Sequence, residues 1–372
     1  MPHIIANGAK ISYQQVGDGP DVVLIHGLAT NRAFWFVHTL QALKNEYRVT
    51  IFDLRGHGYS SMPDNGYTSA DMASDLAALM DHLRIEDAVL VGHSFGGVVG
   101  LQYATGHQER VKGFVLADSR IHSVQPTQSL VDQPELLGLE KELIAESGED
   151  WRKEPHVGMR LLEELARRKL KEGRPTTAKG FNPFGGMGKG ERLARLWLKL
   201  LETTTARDDI RSSAGLTLNR ITAFNKPILL NYGERSRCME TCRQLQQRLP
   251  QSDAIIVPGT GHFHPITKPR YFTNAVLDFI EMTQFVPDGS DPKSTFKTSY
   301  SDRRESNAGA GYIEQHCRRK GERRVAWRKR GWDGPDRRKG ARGPGYKWLG
   351  QDFNEEFQNS PALNENIEEK KT

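Results

Sequence analysis

Two alternating patterns run through the first 285 positions. Short apolar runs rich in Val, Ile and Leu lie at 22–25, 49–52, 88–91, 114–117, 228–232 and 254–257, each followed by turn residues. Between them, 69–83, 95–105, 240–249 and 270–282 place apolar residues at helical spacing. Strand-length runs separated by helix-length segments predict an α/β domain on a largely parallel sheet. The alternation breaks from about 120 to 224, where helices are expected near 135–147, 157–171 and 191–203, with a Gly-rich loop over 179–190. A helical insertion late in such a sheet reads as a cap over an active site. After about 286 the periodicity stops, and the remainder to 372 is expected to be a disordered tail.

Composition sharpens that division. Mean hydropathy is −0.61 and the net charge is +6. Lys and Arg outnumber Asp and Glu by 33 to 32 over residues 1–286, but by 19 to 14 over 287–372. Within the tail, 317–342 hold twelve basic and three acidic residues, with Trp327 and Trp332 interleaved. Such a tract suits nonspecific, salt-sensitive polyanion contact through counterion release, or equally a solubilising tail without a fixed partner. No apolar run approaches the roughly 18 residues of a membrane span and no basic start precedes an apolar h-region, so a cytoplasmic protein is expected. Three cysteines, Cys238, Cys242 and Cys317, do not make a disulfide framework. Cys238 and Cys242 share a helix face and read as packing residues.

The chemistry is concentrated at Gly92-His93-Ser94-Phe95-Gly96, directly after one apolar run and directly before a helical segment. A strand-to-helix turn this tight leaves no room for side chains beside the serine. It lifts the hydroxyl to the sheet edge at a helix N-terminus. A serine hydroxyl is barely ionised at neutral pH and needs a base. His262, in Pro258-Gly259-Thr260-Gly261-His262, lies just past the last strand, and His264 is the competing choice. Backbone N–H groups for an oxyanion are expected from Phe95, after the nucleophile, and from Leu28 in His26-Gly27-Leu28.

Four landmarks in order carry a resemblance: 23–28 (VLIHGL), 53–60 (DLRGHGYS), 91–97 (VGHSFGG) and 259–262 (GTGH). Over about residues 10–283 the chain resembles the α/β-hydrolase fold serine enzymes. That resemblance implies a mostly parallel sheet flanked by helices, a Ser-His-acid triad, no cofactor and no metal. In the family the acid usually follows the seventh strand as Gly-x-x-Asp. The matching segment here is Gly233-Glu234-Arg235-Ser236, with Ser236 in the acid's place. Some relatives carry the acid after the sixth strand, where this chain has Asp118. Asp118 and Glu234 are therefore both candidates, in that order. Asp53 and Arg55 read as structural.

Together these features predict a domain over 1–285, capped by 120–224, that cleaves a small ester, thioester or activated carbonyl compound through an acyl-enzyme. A noncatalytic binding member of the fold, and a hydrolase tethered to nucleic acid or anionic membrane by its tail, are the competing readings. The cap's basic clusters, including Arg167, Arg168 and Lys169 near Trp151 and Trp197, read as solvated helix faces rather than a site for an anionic substrate.

Overall fold

The computed structural model describes residues 1–128, 138–172, 182–185 and 189–284. The basic tail and most of the Gly-rich loop lie outside the described residues. Eight strands, β1 (His3–Ala6), β2 (Ala9–Val16), β3 (Asp21–Ile25), β4 (Arg48–Phe52), β5 (Ala88–His93), β6 (Val111–Ala117), β7 (Ile228–Gly233) and β8 (Ser252–Val257), form one sheet in the order β1-β2-β4-β3-β5-β6-β7-β8. From β4 to β8 every pairing is parallel, while β1 and β2 join antiparallel at one edge.

Eleven helices accompany them among the described residues. They are α1 (Thr39–Leu43), α2 (Ser69–His82), α3 (Phe95–Gly106), α4 (Gly138–Ser147), α5 (Val157–Glu172), α6 (Lys189–Thr203), α7 (Ala206–Asp209), α8 (Leu218–Thr222), α9 (Met239–Arg248), α10 (His264–Thr267) and α11 (Pro269–Gln284). The helices between β6 and β7 are α4 to α8.

Central parallel strands are covered on both faces, and so read as apolar runs rather than alternations. Val22 to Ile25 and Ala88 to Val91 are all buried. Their side chains divide by parity. Val23, Ile25, Leu90, Phe114 and Leu116 join the core under α2 and α3, with Leu76, Leu79 and Val99. Val22, Leu24, Val91, Val115 and Leu229 join the opposite core under α1 and α11, with Leu40, Phe272, Val276 and Phe279. Helix α2 is fixed at its start by a capping box, in which Thr68 and Asp71 bond each other's backbone N–H.

The strand expectation omitted β1, whose residues alternate exposed and buried, and β2, which ends in four half-buried positions and includes several polar side chains. Their connecting turn was readable: Asn7 and Gly8 both take positive φ, 48° and 77°, the geometry that Asn-Gly favours in a two-residue hairpin. No helix among the described residues is long and apolar enough to cross a membrane.

Candidate active site

Strands β5, β6 and β8 point the same way, so the loops leaving them gather at one sheet edge, where open α/β sheets carry their sites. Ser94 follows β5 and caps α3 with φ 56° and ψ −124°, a conformation an L-residue adopts only under local constraint. The constraint comes from crowding. A Cβ on Gly92 would sit 2.6 Å from Gly96 O, and one on Gly96 would run into the carbonyls of Ile25 and His26. Only glycine lets the turn close.

His262 follows β8, with Nε2 3.0 Å from Ser94 Oγ and Nδ1 2.8 Å from Asp118 Oδ1. Asp118 stands just past β6, wholly buried, at φ 47°. Its Oδ1 also accepts the Ser236 hydroxyl, and its Oδ2 accepts the Gly233 N–H at 2.8 Å. Two further groups lie beside it. His264 Nδ1 is 3.4 Å from Oδ2, and His264 Nε2 is 2.6 Å from Asn231 Oδ1. In that arrangement His264 Nδ1 and Asn231 Nδ2 are both buried without partners. With the Asn231 amide turned, Nδ2 donates to His264 Nε2, which leaves the His264 proton on Nδ1, facing Asp118 Oδ2.

The electrostatics follow from these bonds. Burial would raise Asp118, but the hydrogen bonds from His262 and His264 hold it far below the usual carboxylate range. Burial would lower His262, and the hydrogen bond to Asp118 with its negative charge raises it instead. His93 Nε2–H donates to His262 O at 2.9 Å, while its ring stacks on Phe34 at 4.7 Å. Burial keeps His93 well below its ordinary pKa, so it acts there as a neutral anchor for the His262 loop.

Gly27 and Leu28 face Ser94 from the loop after β3, where a Cβ on Gly27 would lie 2.8 Å from Ser94 Cβ. Two buried neutral histidines hold this loop. His26 Nδ1–H donates to Gly27 O at 2.8 Å, and its Nε2 accepts Leu54 N–H at 3.1 Å. His57 Nε2 accepts Ala29 N–H at 3.3 Å while its Nδ1–H donates to Arg55 O. Burial lowers each to about 4, which keeps the acceptor nitrogen free. Sequence reading missed the roles of His26, His57 and His93, although all three fall inside the landmarks. Phe95 is the first residue of α3, so its N–H has no acceptor within the helix.

Glu234, the alternative carboxylate, does not bond His262. It is exposed, and its Oε2 accepts Gly259 N–H at 2.7 Å. Ser236, which stands where an acid was expected, is buried beneath Asp118 and also accepts Cys238 N–H at 3.0 Å. Asp53 and Arg55 engage elsewhere: Asp53 pairs with Arg32 at 2.6 Å and Arg55 with Asp75 at 2.5 Å. Cys238 and Cys242 are buried. Asp118, Cys238 and His262 bring three possible metal ligands within 4.8 Å of one another, the one such group among the described residues. A metal there would have to break the 2.8 Å bond between Asp118 and His262.

A cavity of about 1370 Å³ opens above Ser94. Its walls come from the loops just described and from the segment between β6 and β7, which contributes Gln128, His156, Met159, Leu162 and Arg211. Arg167 and Arg168 do not face it. They pair with Glu163 at 2.8 Å and Glu142 at 3.0 Å along the helices.

A family model described as the alpha/beta hydrolase fold matches residues 20–269. The chain is 28% identical over 298 residues to a putative non-heme chloroperoxidase of Synechocystis, covering 76% of this chain and 100% of that one. It is 27% identical over 290 residues to a putative 2-succinyl-6-hydroxy-2,4-cyclohexadiene-1-carboxylate synthase of Bacillus subtilis, covering 73% and 95%. A match at 34% identity to a cis-3-alkyl-4-alkyloxetan-2-one decarboxylase of Shewanella oneidensis is shorter, 128 residues, and spans 33% of this chain and 40% of that relative. Among solved structures, the enol-lactonase from Burkholderia xenovorans superposes with a TM-score of 0.52 at 23% identity, covering 75% of this chain and 100% of that one. The meta-cleavage product hydrolase of Pseudomonas fluorescens gives 0.54 at 21%, covering 76% and 97%. With a family match across 250 of its 372 residues, the chain belongs to the alpha/beta hydrolase fold family.

Proposed function

We propose that this protein is a serine hydrolase that cleaves an ester, thioester or activated carbonyl substrate through an acyl-enzyme. The observation that carries this reading is the continuous chain of hydrogen bonds from Ser94 Oγ through His262 to Asp118, at 3.0 and 2.8 Å, opening on the large cavity.

In this mechanism His262 Nε2 takes the hydroxyl proton as Ser94 Oγ attacks the carbonyl carbon. Asp118 keeps the imidazole in the tautomer that offers Nε2 and stabilises the imidazolium that forms. The N–H groups of Leu28 and Phe95 receive the oxyanion, each contributing on the order of 3 kcal/mol to the barrier. Collapse expels the leaving group, which takes the proton from His262. Water, deprotonated by His262, then attacks the acyl-enzyme and releases the acid.

The binding-only reading rests on Ser236 in the acid's place, and the hydrogen bond between Asp118 and His262 supports the catalytic reading over it. The tether reading concerns residues outside those described. Turnover of a panel of short-chain esters and thioesters tests the proposal. Hydrolysis that vanishes with Ser94→Ala is expected, and full activity in that variant would refute it.

A further inference from the structure

Two residues beyond Asp118, the chain leaving β6 carries Arg120, and then His122. Arg120 Nη1 donates to Pro126 O at 2.9 Å, and Nη2 donates to His156 Nδ1 at 3.2 Å. A guanidinium has no acceptor, so His156 is the neutral tautomer with its proton on Nε2. Burial, then the charges of Arg120 and Arg211, lower His156 to about 4. Arg211, from the turn after α7, lines the same cavity, and its Nε is buried without a hydrogen-bond partner among the described residues. His122 Nδ1 is in the same condition.

The carboxylates on this cavity are engaged elsewhere. Glu140 pairs with Arg237 at 2.6 Å, Glu240 lies 3.5 Å from Arg243, and Glu234 bonds Gly259. Among the described residues neither Arg120 nor Arg211 has a carboxylate within ion-pair distance. Two guanidiniums on one partly enclosed wall repel each other and lose hydration, a cost that an anion arriving between them offsets. The same cavity holds Ser94 and an apolar wall of Val98, Leu162 and Ile210.

We propose that Arg120 and Arg211, with the Nε2–H of His156, form a carboxylate-binding subsite, so that the compound presented to Ser94 carries a free carboxylate beyond its reacting carbonyl. The carboxylate assignment stands on the donors themselves. The reference to Ser94 rests on the hydrolase reading above. Planar guanidiniums offer paired N–H donors that match the two oxygens of a carboxylate. All the donors here are side chains, without the nest of backbone N–H groups that a phosphate commonly occupies.

The test is titration calorimetry on full-length Ser94→Ala protein, which separates binding from turnover. The ligands are the monomethyl esters of succinate, glutarate and adipate against their dimethyl counterparts, at fixed ionic strength. At least one monoester is expected to bind about 10-fold or more tighter than its diester, the scale of a charge-assisted hydrogen bond. That preference falls when either Arg120→Gln or Arg211→Gln is added, and is partly kept in Arg120→Lys. Arg211→Gln serves should Arg120→Gln fail to fold. Equal affinities, no binding of any ligand, or a preference that survives both Gln variants would overturn the subsite. Inorganic phosphate binding tighter than every monoester would overturn the carboxylate assignment. Wild-type protein that hydrolyses none of the esters, or hydrolyses them no faster than Ser94→Ala, with the preference intact would sink the hydrolase reading alone.

Discussion

Asp118 is buried at a positive φ, a costly place for a carboxylate, yet it is ringed by Ser236, Gly233, His262 and His264. Removing its charge acts on both rate and pH. The proposed mechanism needs neutral His262, and Asp118 raises that pKa, so wild-type activity is expected to rise with pH through a value above the ordinary 6.5. In Asp118→Asn, kcat/KM falls on the order of 10³ to 10⁴-fold and the acid limb moves to lower pH. Ser236→Ala does the opposite to the limb. With one donor gone, the carboxylate concentrates its charge on His262, the limb moves up, and kcat/KM at neutral pH falls by about 10-fold. Initial rates from pH 5 to 10 check both signs, and shifts in the same direction would contradict the account.

The choice between Asp118 and Glu234 could not be made from residue spacing. Both stand just beyond adjacent parallel strands, and the difference lies in what each turn presents: Asp118, at φ 47°, meets His262, while Glu234 bonds the Gly259 N–H. The strand-to-helix turn at Ser94, by contrast, was legible, because a glycine on each side is demanded by crowding that any such turn creates.

At the scale of elements, helices α2, α3, α5, α6, α9 and α11 match their expected positions within a few residues, since each carries apolar residues at helical spacing, α3 being buried nearly all round. Short elements were missed: α1, α7, α8 and α10 span four or five residues, too few for a period to register. The segment between β6 and β7 is tied by Glu163 of α5, whose buried carboxylate pairs with Arg207 of α7 and with Arg167 of its own helix. Burial would raise Glu163, but the hydrogen bonds from both arginines lower it to about 2. Its stabilisation is therefore complete above the ordinary pKa of 4.5 and is lost as pH falls toward 2. Both arginines keep access to water, so Glu163→Gln is expected to cost about 1 to 2 kcal/mol rather than the full cost of a stranded buried charge. Urea unfolding should show that gap at pH 7 and a smaller one near pH 3. An equal gap at both would contradict the ion-pair account.

Across the whole molecule, the topology assembles the site. Ser94, Asp118 and His262 lie 24 and 144 positions apart along the chain, yet all leave the same edge because β5 to β8 run parallel in one sheet. The order of landmarks conveyed that architecture before any coordinate did. The positive wall of the cavity was not legible. Arg120 and Arg211 are separated by 91 residues and belong to no run of adjacent basic residues, whereas the clustered Arg167 and Arg168 spend their charge on neighbouring carboxylates.

The central claim is that Ser94 is an activated nucleophile, and reaction with a fluorophosphonate probe tests it without any guess about substrate. Labelling of the wild type that disappears in Ser94→Ala and slows sharply in Asp118→Asn is the result predicted. Folded wild-type protein that resists the probe, or labelling that persists in Ser94→Ala, would contradict it.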